Sequence, residues 1–130
     1  MVKATNLTEC LTRATQYVRV VMRCLGGGRD YLEISEKATS LLCDLLDILY
    51  RIKDQLQLTD EKWFFYPLRL HGLHELVLLF ESTLRLVEIH LHPGGVGVRE
   101  LRKHLLEQTI IPRLEQYKVI FILSTQPDSE

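Results

Sequence analysis

The stretch from Leu70 to Leu91, LHGLHELVLLFESTLRLVEIHL, decides the fold. Leu70, Leu73, Val77, Phe80, Leu84, Val87 and Leu91 recur at alternating spacings of three and four. That spacing lines one face of an α-helix, because 3.6 residues complete a turn. Leu76, Leu79 and Leu86 lie beside this stripe and widen it. Gly72 costs up to about 1 kcal/mol against alanine inside a helix, a cost that close packing would explain. Upstream, Thr59 and Asp60 start the segment, and Pro67 is tolerated in a first turn but not deeper, so the main helix begins or kinks near it. Downstream, Pro93-Gly94-Gly95-Val96-Gly97 ends it.

The same rhythm recurs on both sides. Leu7, Leu11, Ala14, Val18, Val21 and Leu25 form a first stripe, closed by Gly26-Gly27-Gly28. After a capping Asp30 come Ile34, Ala38, Leu41, Leu45, Ile48 and Ile52, widened by Leu42, Leu46, Leu49 and Leu56. The last segment carries Leu101, Leu105, Ile110, Leu114, Tyr117 and Phe121. Pro112 lacks the amide that would bond the carbonyl of Gln108, so the last helix kinks or splits there. No stretch alternates with the period of two that a strand needs. The reading is one all-α domain over residues 1–130, an up-and-down four-helix bundle. Its helices are placed at about 6–25, 31–57, 60–91 and 98–124. Short connections predict that successive helices are antiparallel neighbours.

Composition narrows the classes of function. With 16 basic and 17 acidic residues in 130, the chain has no nucleic-acid footprint. Cys10, Cys24 and Cys43 are odd in number, have no close-spaced pair and fall within helices. They read as buried free thiols of an intracellular protein, with a disulfide as the alternative. Thr5, Asn6, Thr8 and Glu9 stand where a signal peptide would be apolar, and Val2 follows Met1 where a myristoylation motif has glycine, so neither signal is expected. Charges interrupt every long apolar run, so no transmembrane span is expected. Residues 1–29 hold five basic side chains against Glu9, whereas residues 30–58 hold six acids against three bases. The basic first helix is expected to pack beside the acidic second, their charges offsetting. A weak, salt-sensitive membrane-surface contact through Arg13, Arg19 and Arg23 is the alternative.

Candidate chemistry is sparse. His71, His74 and Glu75 can share one side of a helix, as metal or catalytic residues would. Bundle metal sites, however, take Glu-x-x-His pairs from separate helices, and no second motif exists here. His90 and His92, with Glu88 nearby, point to different faces. The acid pairs Asp44 with Asp47, and Glu75 with Glu81, could serve general acid–base chemistry only if buried. Neither glycine cluster fits a phosphate-binding loop. No metal or cofactor is assigned. Trp63-Phe64-Phe65-Tyr66 is the clearest binding candidate, since four consecutive aromatics cannot all face one core. The block either plugs the end of the bundle or presents rings to a partner or ligand.

Three stretches carry a family resemblance. They are Leu41-Leu42-Cys43-Asp44-Leu45-Leu46-Asp47-Ile48-Leu49, Leu86-Val87-Glu88-Ile89-His90-Leu91 and Ile111-Pro112-Arg113-Leu114-Glu115-Gln116-Tyr117-Lys118-Val119. In pattern the chain resembles the HeLo-like helical N-terminal domains of fungal STAND and ankyrin proteins. Those domains usually open with an apolar, glycine- and alanine-rich helix, whereas this first helix is basic and threonine-rich. The resemblance implies self-recognition or death signalling through helix association.

The expectation is therefore a non-catalytic interaction module that associates with itself or a protein partner. The rival is a small helical protein that binds an apolar metabolite, as a cyclase, isomerase or carrier. The wide apolar faces of the second and third helices point to a homodimer or larger assembly.

Overall fold

The computed structural model describes residues 4–25, 32–58, 67–91 and 99–125, all of them helical. Helix α1 spans Ala4–Leu25, α2 Leu32–Leu58 and α3 Pro67–Leu91. The fourth segment is divided into α4 (Arg99–Leu105), a π-helical turn (Leu106–Ile110) and α5 (Ile111–Thr125). Pro67 stands at the first position of α3, where a missing amide costs nothing. The predicted helical start at residues 60–66 lies outside the described residues, as do both glycine-rich links.

The predicted stripes on the first three helices form the core. Leu7, Leu11, Ala14, Val18, Val21 and Leu25 of α1 are buried, joined by Cys10. On α2 the buried set is Ala38, Leu42, Leu45, Ile48, Leu49, Ile52 and Leu56, with Ile34, Leu41 and Leu46 half-buried against it. On α3 it is Leu73, Val77, Phe80, Leu84, Val87 and Leu91. Phe80 is the aromatic hinge of the core, with its ring centroid 5.0 Å from Tyr117 and 5.4 Å from Phe121. Such offset and edge contacts add about 0.5–1.5 kcal/mol beyond burial.

The last helix departs from expectation in its phase. Leu101 is exposed and Leu105 only half-buried, whereas Leu106 is fully buried. The cause is the π turn, in which the amide of Ile111 donates to the carbonyl of Leu106. One extra residue per turn rotates everything upstream relative to Leu114, Tyr117 and Phe121. Pro112, which supplies no amide, immediately follows. The backbone thus absorbs the proline by widening a turn, and the dihedrals bounding that turn stay right-handed helical.

Neighbour order also differs from the sequential ring. Among the described residues the close backbone pairings are α3 on α1, α1 on α2, and α2 on the π turn and α5. Helices α2 and α3, consecutive in the chain, are not among them. Arg13 meets Glu81 while Tyr17 meets Arg85, so α1 and α3 run parallel. Thr83 meets Tyr117 while Phe80 meets Phe121, so α3 and α5 run antiparallel. Chain direction still alternates, but the link from α2 to α3 joins helices that are not close neighbours.

Candidate functional site

Three places on the bundle hold polar or apolar groups that a bare scaffold would not need. The first is the seam between α1 and α3. Glu81 is buried, and its Oε1 accepts from Nε of Arg13 at 3.3 Å and from Arg85 at 3.4 Å. Both guanidinium groups are about half exposed, so they hold the carboxylate from the solvent side. Arg85 also lies over the Tyr17 ring, 4.9 Å from its centroid. Arg13 reaches the Cys10 sulfur at 3.5 Å. Burial pushes the Cys10 thiol above its ordinary range, and the positive charge of Arg13 opposes that only in part. The cluster is closed on itself, with its one buried charge bonded twice.

The second place is the α3–α5 junction. Tyr117 and Thr83 share a buried hydroxyl–hydroxyl bond of 2.7 Å. Thr83 donates to the carbonyl of Leu79 at 3.0 Å, and Tyr117 approaches the same carbonyl at 3.3 Å. These bonds satisfy each other, so they orient α5 rather than await a ligand.

The sequence-predicted candidates are scattered. His71 and Glu75 are exposed and His74 is half-buried. Among the described residues no three histidine, cysteine, aspartate or glutamate side chains converge to hold a metal. Glu75 and Glu81 are not brought together, since six residues turn them to different sides of α3. Asp44 and Asp47 are exposed, held by Lys118 at 2.8 Å and Arg51 at 3.2 Å. The block Trp63-Phe64-Phe65-Tyr66 lies outside the described residues, and so does His92. The basic helix α1 does pack beside the acidic α2, but both helices also make ion pairs with other neighbours. Arg13 pairs with α3, while Lys37 and Asp44 of α2 pair with Glu115 and Lys118 of α5. Arg19 donates to the Tyr50 hydroxyl and sits over its ring. For α1 to enter a membrane, Leu7, Leu11, Val18 and Val21 would have to leave the core. No described helix is long and apolar enough to cross one.

The third place is the outer surface of α3, α4 and α5. Leu79 is 59% exposed, Leu86 56% and Ile89 69%. Leu101, Val119, Ile120, Ile122 and Leu123 are exposed as well. Among the described residues no large apolar side chain is exposed on α1 or α2. A helix that is apolar all round belongs in a core, yet α3 and α5 present one such side to solvent. Along α3 the exposed line reads Gly72, Glu75, Leu79, Ser82, Leu86 and Ile89, at spacings of three and four. Gly72 is exposed, and a Cβ there would meet nothing within 4 Å. Among the described residues, the close packing expected to explain this glycine is therefore absent. Sequence reading missed the glutamate clamp and the α5 part of this face; of the two wide apolar faces it expected, the one on α3 is exposed at Leu79 and Leu86, and the one on α2 is not exposed among the described residues. The clamp had a partial signal, Glu81 and Arg85 four apart, but Arg13 could not be assigned to it without knowing that α1 adjoins α3.

The described helices thus define an all-α bundle of four helical segments with no strand. No protein-family model, no curated protein and no solved structure matches the chain.

Proposed function

We propose that the protein is a non-catalytic helical interaction module whose docking face is the exposed apolar side of α3 and α5. One observation carries the reading: among the described residues the exposed large apolar side chains all lie on α3, α4 and α5, and none lies on α1 or α2. Exposed apolar patches of this kind mark association surfaces on soluble proteins. The HeLo-like resemblance points the same way, since those domains work through helix association. Three unbridged thiols suit a reducing compartment, and we place the module in the cytoplasm.

The test uses a fluorescent dye that brightens on apolar surface, together with Leu79→Glu and Leu123→Glu. The wild-type chain either associates or, when kept monomeric by dilution, binds the dye. The double variant does neither and melts within a few degrees of wild type, because both residues lie outside the core. A wild-type chain that stays monomeric at high micromolar concentration and binds no dye would overturn the proposal.

A further inference from the structure

We infer that the outer line of α3 pairs with the same line of a second copy, the two helices running antiparallel. This rests on the docking face proposed above and names its occupant.

The line steps alternately by three and four residues, the heptad-like pattern by which two helices stay in contact over several turns. Its smaller or polar members, Gly72, Glu75 and Ser82, and its large apolar members, Leu79, Leu86 and Ile89, are unevenly placed, with Gly72 and Glu75 at one end and Leu86 and Ile89 at the other. Laid against itself in the antiparallel sense, the line sets Ile89 over the partner subunit's Gly72. The same register sets Leu86 beside the partner's Glu75, and Leu79 beside the partner's Ser82. Every large side chain then meets a smaller or more flexible one, the arrangement that packs without voids or overlap. A two-fold axis repeats each contact. The parallel alternative stacks Leu79 on Leu79 and Leu86 on Leu86, leaves Gly72 facing a gap and opposes two Glu75 carboxylates.

Charge agrees with size. In the antiparallel register Glu75 lies one residue from the partner's Arg85, whose guanidinium is half exposed at the edge of the seam. Gly72 supplies the independent point. Glycine weakens a helix, and among the described residues nothing uses the space that its missing Cβ leaves open. A lipid surface suits the line poorly, for it carries no lysine or arginine and one exposed acid.

Sedimentation of the full chain with paired substitutions tests the register. Wild type is expected to pass from monomer to dimer as concentration rises through the micromolar range. Gly72→Leu fills the opening: it leaves the monomer's melting temperature unchanged or higher, yet weakens dimerisation by about tenfold or more. Adding Ile89→Ala to Gly72→Leu returns part of the lost affinity, because the cavity moves to the other side of the same contact. A wild-type monomer at all concentrations overturns the self-pairing, and dye binding by that monomer leaves the docking face standing. A Gly72→Leu variant that dimerises as wild type does, or that is not rescued by Ile89→Ala, overturns the antiparallel register.

Discussion

At the scale of single residues, the buried charge of Glu81 and the buried thiol of Cys10 behave oppositely. Glu81 keeps two charge-assisted bonds, whereas Cys10 has one long contact to Arg13 and loses more to burial than that contact returns. The fold therefore holds the thiol protonated to higher pH than the unfolded chain does. Below the ordinary thiol range both states carry the proton and pH does not act through this group. As pH rises past that range the unfolded chain ionises first, and stability falls until the folded thiol also titrates. Denaturant unfolding near pH 8 and pH 10 checks this: wild type should lose more stability between the two than Cys10→Ala does. Alkylation under native conditions should follow exposure, with Cys43 reacting first, then Cys24, and Cys10 only on unfolding. Burial expected of all three thiols holds for Cys10 but not for Cys43, which is exposed, because falling within a helix does not fix which face a residue takes. The role of Arg13 beside Cys10 was not legible, because a long basic side chain on a polar face looks the same with or without a buried acid across the seam.

Among the elements, the last helix separates what a linear pattern carries from what it hides. Stripe residues on α1, α2 and α3 were readable because an uninterrupted α-helix keeps its phase. Pro112 announced a break, and the break is real, but a sequence does not say whether a helix kinks or takes an extra residue into one turn. The π turn chose the second course, which moved the buried line from Leu101 and Leu105 to Leu106. Leu106→Ala should then cost about 2–5 kcal/mol, as buried leucine truncations do, whereas Leu101→Ala should stay within about 0.5 kcal/mol. Thermal unfolding of the two variants decides between the phases. Equal losses would mean that the helix runs through residues 106–110 without the extra residue.

For the molecule as a whole, the decisive feature is the inequality of its two halves. Helices α1 and α2 spend their apolar residues on the core and turn polar side chains outward, including Arg19, Arg51 and Asp47. Helices α3 and α5 have apolar residues left over. The sequence showed surplus apolar residues on both α2 and α3, and both wide faces were expected to serve association. On α2 that expectation fails, since Leu42, Leu49 and Leu56 are buried and Leu46 is half-buried. On α3 Leu76 is half-buried, while Leu79 and Leu86 remain outside. The difference lies in neighbour order. Helix α2 lies between α1 and α5, while the side of α3 bearing Leu86 and Ile89 has no described helix over it. Hydroxyl-radical footprinting of the full chain across a concentration series, read by mass spectrometry, tests this most directly. Leu79, Leu86 and Ile89 should be oxidised in dilute solution and become protected as the dimer forms, while Tyr50 on α2 keeps one rate throughout. Oxidation of the α3 residues at a rate that does not change with concentration, in a chain that is shown to associate, would contradict it.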